Sequence, residues 1–200
     1  MDITRKKFLQ LAGAAGLLLV AGKIFAADEK ILVAYFSRVG EEYGLGFLKK
    51  GNTAIVAEII AQKTGGDIFE IKPVTPYPVA YEDCKKIAKH EQETKARPPL
   101  ADDVDISGYD TIFVGYPIWF KDAPQIIYSF LEKHDFSGKK IVPFCTHSGD
   151  GIFISSQNIS LTCPKANVLS GISIQRTIAH KDRARTETIV TDSLRRYNLI

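Results

Sequence analysis

Residues 30–36 read K-I-L-V-A-Y-F, six apolar side chains in seven with no alternation. A strand with one wet face alternates polar and apolar residues, whereas an unbroken apolar run of this length belongs to a strand covered on both faces. Such a strand requires a parallel sheet with helices on either side, and that constrains the rest of the chain. Ser37 and Arg38 leave its C-terminal end. Gly51-Asn52-Thr53 then opens A-I-V-A-E-I-I-A-Q-K, where Ile55/Ile59 and Val56/Ile60 repeat at i, i+4 as in a helix laid on a sheet. A strand end, a hydroxyl and a helix N-terminus bring N–H groups, the positive end of the helix dipole and an O–H donor to one point, which suits an anion. The segment lacks the G-x-G-x-x-G of a dinucleotide loop and the G-K-[ST] of a P-loop, and it suits a terminal phosphomonoester. Taken alone, Ser and Asn-Thr at such positions read more simply as ordinary helix caps.

Four more apolar runs continue the pattern. Residues 67–72 (D-I-F-E-I-K), stopped by Pro73, predict a second strand, and residues 110–115 (D-T-I-F-V-G) a third. Residues 140–145 (K-I-V-P-F-C) and 167–174 (N-V-L-S-G-I-S-I) predict the fourth and fifth. Between them lie helical stretches. Residues 81–96 carry Cys84, Ile87 and Ala88 on an apolar side beneath a solvated charged face; residues 124–131 pair Ile126/Phe130 and Ile127/Leu131; the last helix has Val190, Leu194 and Tyr197 as its buried stripe. With no internal repeat and no linker, the fold class is α/β: one doubly wound domain on a five-stranded parallel sheet. Two hundred residues are enough for one such core.

Ligands in such sheets bind outside the C-terminal ends of the strands, so the loops there are the candidates. The third strand empties into Tyr116-Pro117-Ile118-Trp119-Phe120, which holds the only Trp. Buried core aromatics are the ordinary reading, but so many large apolar residues in five positions argue for a flat hydrophobic wall. The fourth strand ends in Thr146-His147-Ser148-Gly149-Asp150-Gly151, where the glycines allow backbone groups close to a ligand. A lone His in such a loop reads as a hydrogen-bonding or surface residue before a catalytic one.

The formal charge of +3 arises at the N-terminus, where the first 26 residues hold Arg5, Lys6, Lys7 and Lys23 against Asp2. The rest of the chain carries 22 residues of each sign. No basic stripe with interleaved aromatics runs through it, which excludes nucleic acid as a partner; the run His180-Lys181-Asp182-Arg183-Ala184-Arg185 reads as a solvated helix start. Residues 1–27 read as a processing segment and 28–200 as the domain. A charged stretch precedes a short apolar one at 11–22, too short for a permanent bilayer span. T-R-K-K-F-L resembles a twin-arginine export motif with Lys for the second Arg; the general secretory route shares the same features, and an uncleaved segment would tether the chain to a membrane. Periplasmic or extracellular placement is the expectation. Three cysteines, Cys84, Cys145 and Cys163, cannot all pair; Cys145 reads as a small buried hydrophobe, and a Cys84–Cys163 bridge is open. There is no C-x-x-C and the four His lack ligand spacing, so no metal site is expected.

Taken together, Y-F-S…G-N-T, G-Y-P-I-W-F and P-F-C-T-H-S-G-D-G closely resemble the three ligand loops of the flavodoxin-like family of FMN-binding proteins, in the same order and over nearly all of the chain after Lys30. The resemblance implies strand order 2-1-3-4-5 and FMN as cofactor. It assigns Ser37, Asn52 and Thr53 to the phosphate, with Arg38 beside it. It assigns Pro117, Ile118, Trp119 and Phe120 to the isoalloxazine, and Thr146, His147, Ser148, Gly149 and Gly151 to the ring's other edge. Residues 39–50 interrupt the simplest form of the phosphate loop. Electron-carrying flavodoxins are strongly acidic, which steers them to basic partners; a neutral body fits an FMN oxidoreductase acting on quinones or similar acceptors better. A pure electron carrier and a non-catalytic flavodoxin-fold module are the alternatives. Nothing in the sequence names the electron donor, the acceptor or the oligomeric state.

Overall fold

The first strand is covered on both faces and paired along both edges. In the computed structural model, which describes residues 29–200, the elements run β1 (Ile31–Tyr35), β2 (Gly40–Glu42), β3 (Gly46–Leu48), α1 (Asn52–Thr64), β4 (Asp67–Glu70), α2 (Tyr81–Thr94), β5 (Thr111–Pro117), α3 (Gln125–Lys133), β6 (Lys140–His147), α4 (Phe153–Thr162), β7 (Asn167–Val168), β8 (Ile172–Gln175), α5 (Arg176–Lys181) and α6 (Arg183–Arg196). The processing segment expected at 1–27 lies outside the described residues.

β1 pairs in parallel with β4 on one edge and β5 on the other; β6 follows β5, and β7 and β8 share the outer edge of β6. With the two short edge strands counted as one, this is the expected order 2-1-3-4-5. Alternate residues feed two cores. Leu32, Ala34 and Phe36 join Ile112, Val114 and Tyr116 beneath α3 and α4, against Ile126, Ile127, Phe130 and Ile159. Val33 and Tyr35 join Phe113, Val142 and Phe144 on the opposite face, beneath Val56, Ile59 and Ile60 of α1 and Val190 and Leu194 of α6.

One expectation needs correction. The fifth strand is not continuous over 167–174 but breaks between Val168 and Ile172. Leu169 N–H donates to Ile141 O (2.9 Å), so the odd-numbered residues of β6 face this edge. The next of them is Pro143, which has no N–H to offer, and the ladder lapses where it stands. Residues 39–50, which interrupt the simplest form of the phosphate loop, form a hairpin of their own in which β2 and β3 pair antiparallel. Residues 152–162, which the sequence reading left unassigned, contain α4. Cys84, Cys145 and Cys163 are all buried free thiols, so the Cys84–Cys163 bridge does not form. The run 180–185 is exposed across the junction of α5 and α6, where Asp182 Oδ1 accepts from Arg185 N–H (2.9 Å).

Gly115 sits where β5 turns toward the ligand loops. A Cβ there would stand 2.0 Å from Cζ of the fully buried Phe144, and strands on both sides prevent either from yielding. Gly115→Ala is therefore expected to lower stability by about 1–3 kcal/mol, the usual cost of overpacking, measured as a shift in the urea midpoint at unchanged slope.

Candidate functional site

A cleft of about 250 Å³ opens at the C-terminal ends of β1, β5 and β6. It gathers Ser37, Arg38, Asn52, Thr53, Pro117, Ile118, Trp119, Phe120, Thr146, His147 and Ser148, three separated stretches that the sequence reading placed together. Gly149 and Gly151 do not line it; they shape the turn behind His147.

The polar end is built around the start of α1. Its N-cap is Gly51, whose Cβ, if it had one, would fall 2.2 Å from Ser37 Oγ and 2.5 Å from Arg38 O, so only glycine allows β1's exit loop to approach this closely. Ser37 Oγ accepts from Ala54 N–H (3.1 Å), capping the helix from a distance. The N–H groups of Asn52 and Thr53 have no partner among the described residues. Thr53 Oγ1 and Thr146 Oγ1 lie 3.0 Å apart in a buried hydrogen bond that joins the first loop to the third. Asn52 Oδ1 is buried with no hydrogen-bond partner. A buried amide oxygen left unpaired costs about 1–3 kcal/mol, and Asn52 lines the cleft.

The apolar end is the turn after β5. Trp119 packs edge-on against Phe36 (5.4 Å between centroids) and Tyr77 (5.1 Å), which fixes its plane. It is both core-backed and cleft-lining, so the two sequence readings of this residue meet. Phe120 is 42% exposed at the mouth. Phe120 and Lys121 have φ of 48° and 70°, a left-handed conformation that costs a non-glycine residue on the order of 1–2 kcal/mol.

His147 Nδ1 accepts from Gly149 N–H (3.0 Å), which places the proton of the neutral imidazole on Nε2. Burial pulls its pKa below the usual 6.5, and Asp150 opposes that pull. Cys84, beneath the cleft on α2, is pushed up to about 11 by burial and stays a thiol.

Arg38 does not present its charge to the polar end in the simple way expected. Nε donates to Pro78 O (3.1 Å), Nη1 to Glu41 O (2.6 Å) and Nη2 to Pro78 O (2.9 Å) and Val79 O (2.7 Å). The guanidinium clasps the β2–β3 hairpin to the loop before α2. Glu41 tightens that clasp, its N–H donating to Val79 O (2.8 Å) and its carboxylate accepting from Tyr81 N–H (3.1 Å). Glu42 is ion-paired with Arg176, the first residue of α5. The hairpin thereby becomes a wall of the cleft, adding Glu42 and Tyr43, while Tyr81, Cys84, Lys85 and Ala88 of α2 and Arg176 complete the lining. Sequence reasoning missed these. Of the apolar side expected here, Cys84, Ile87 and Ala88, the structure turns Cys84 and Ala88 to the cleft beside Tyr81 and Lys85 and leaves Ile87 exposed; nothing local in the sequence says what that side faces.

A family model described as flavodoxin matches residues 30–188. Among solved structures, the chain is similar to a proposed flavoprotein from Bacteroides eggerthii (33% identity, 83% of this chain and 96% of that one, TM-score 0.67). It is similar to another from Bacteroides uniformis (29%, 82% and 98%, TM-score 0.64). A flavoprotein from Lactobacillus acidophilus in complex with FMN shares the fold at 20% identity, over 76% of this chain and 97% of that one, with a TM-score of 0.59. No curated protein matches.

The His147 geometry makes a pH prediction. A folded pKa below the unfolded one means that the stabilising contribution is complete above 6.5 and is lost as the pH falls through the folded value. Followed by NMR, His147 should titrate below 6.5, and Asp150→Asn should move its midpoint lower still.

Proposed function

The chain belongs to the flavodoxin family, and from that premise we propose that it binds FMN in this cleft and works as an FMN-dependent oxidoreductase. The observation that carries the reading is the pairing, in one cleft, of a helix start with two open N–H groups and an orphaned Asn52 Oδ1 with an apolar wall of Ile118, Trp119 and Phe120. A phosphate on a polar chain attached to a flat aromatic ring asks for those two environments together.

Ser37, Thr53 and the N–H groups of Asn52 and Thr53 hold the phosphate, and Asn52 Oδ1 accepts from a ligand hydroxyl. Trp119 and Phe120 exclude water from the ring. Neutral His147, with Nε2–H as its free donor, offers a hydrogen bond to a polar edge without adding charge. Bound flavin supplies the redox chemistry itself; the protein contributes placement and tuning. Phe120 and Tyr43, exposed at the mouth, favour a small conjugated acceptor such as a quinone. The absence of an excess negative charge after the first 26 residues supports a self-contained enzyme over a carrier steered to basic partners.

The phosphate end is tested by comparing flavins. The purified protein should bind FMN more tightly than riboflavin, and Thr53→Ala should narrow the difference by about 1.5–3 kcal/mol, the usual worth of a hydrogen bond to a charged acceptor. Equal affinities in the wild type would overturn the assignment of the polar end.

Export is part of the same proposal. A flavin made in the cytoplasm travels most simply inside a folded chain, and T-R-K-K-F-L suits the twin-arginine route, which carries folded cargo. Arg5→Lys keeps the positive charge that a general secretory signal needs but should leave the protein inside the cell, as read by fractionation. Undiminished export would assign the general route and leave the FMN reading standing.

A further inference from the structure

The turn that carries Trp119 and Phe120 is held from behind by one carboxylate. Trp119 N–H donates to Asp122 O (2.9 Å) and Asp122 N–H to Trp119 O (3.0 Å), closing a two-residue turn around Phe120 and Lys121. Both enclosed residues have positive φ. A turn of this kind is ordinarily made by Asn, Asp or Gly, so Phe and Lys hold it only where the surroundings impose it.

Those surroundings act through Asp122. Oδ1 accepts from Ala123 N–H (2.7 Å) and from Tyr128 O–H (2.7 Å). Oδ2 accepts from Asn158 Nδ2–H (2.8 Å). Tyr128 belongs to α3 and Asn158 to α4, so one side chain ties the turn to two helices. Tyr128 is itself fixed: it is buried, and the Arg97 guanidinium lies 5.3 Å over its ring while donating to Gln125 Oε1 (2.7 Å) and Glu132. On the outer side Gln92 of α2 donates to Phe120 O (3.1 Å).

We infer that Asp122 is the positioning residue of the cleft's apolar wall: its three hydrogen bonds hold the strained Phe120–Lys121 turn in the conformation that sets Trp119 and Phe120 against a planar ligand. The identity of that ligand rests on the FMN reading; the hold on the turn does not. Asp122 itself does not line the cleft, so it acts through the residues it places. It also accounts for how a strained turn survives at a binding wall, since relaxing the strain would break the ties to α3 and α4 together.

The test uses the single tryptophan as its probe. Asp122→Ala should red-shift Trp119 emission in the flavin-free protein and increase its quenching by acrylamide. The same variant should weaken FMN and riboflavin by a common factor of at least ten, leaving their ratio unchanged, because the defect lies at the ring end. Asp122→Asn keeps an acceptor oxygen for Ala123 and Tyr128 and should restore most of both properties. Adding Lys121→Gly to Asp122→Ala removes part of the backbone strain without replacing any lost bond, and should recover part of the Trp119 signal and the affinity. A lower melting temperature with unchanged Trp119 emission and unchanged flavin affinities would reduce Asp122 to a structural brace and overturn the proposal. So would a loss confined to FMN. Failure of the wild type to bind either flavin would sink the FMN reading alone, because Trp119 emission in the flavin-free proteins still decides whether Asp122 holds the wall.

Discussion

The burial of β1 on both faces is the constraint from which the rest follows. Val33 and Ala34 are completely inaccessible, with Phe113 and Val56 on one side and Ile112 and Ile126 on the other. Burying a large aliphatic or aromatic side chain contributes about 1.5–3 kcal/mol, so a strand of this composition is stable only at the centre of a covered sheet. Once β4 and β5 occupy its two edges, the connections leave in opposite directions from neighbouring strands. The C-terminal ends of β1 and β5 then open onto a crevice at the point where the strand order reverses. The cleft's location is a consequence of how the core is filled.

That part was legible because apolar runs and i, i+4 pairs report burial directly, and burial decides where strands and helices go. What the runs could not report was pairing across long separations. The hairpin at 39–50 has no alternating pattern of its own; it is defined by Arg38, Glu41 and Glu42 reaching Pro78, Val79 and Arg176. The same limit hid α2's share of the lining, since periodicity gives the less polar face of a helix without saying what lies above it. Sequence proximity puts Arg38 beside the phosphate loop, whereas its donors are taken up by the carbonyls of Glu41, Pro78 and Val79. Asp122 had no signature at all: its importance comes from Tyr128 and Asn158 arriving from two different helices. The break between β7 and β8 was written in Pro143, but on the neighbouring strand.

The cleft separates two kinds of preorganisation. At the polar end, atoms are left short of partners: Asn52 Oδ1 is unpaired, and the first N–H groups of α1 are open. At the apolar end, atoms are over-constrained, with Phe120 and Lys121 held in left-handed conformations. Each arrangement costs the fold some stability, and under the proposed function each removes a cost that a ligand would otherwise meet on arrival, unmade hydrogen bonds in one case and ordering of the wall in the other. Local rules of sequence and conformation are broken here and obeyed in the sheet, the distribution expected where folding and binding make different demands.

Charge is handled by the same economy. Three cations line the cleft, yet Arg38 is directed at carbonyls, Arg176 is paired with Glu42, and Lys85 stands 3.5 Å from Glu82. An unpaired guanidinium beside a buried strand end would carry a desolvation penalty. Pairing it through the hairpin avoids that penalty, and under the proposed function it leaves an anion to neutral N–H and O–H groups at the helix start, whose dipoles attract it without a counter-charge. The hairpin is thus part of the site's electrostatics as well as its wall. Without Glu42, Arg176 would leave an uncompensated positive charge in the lining of the cleft.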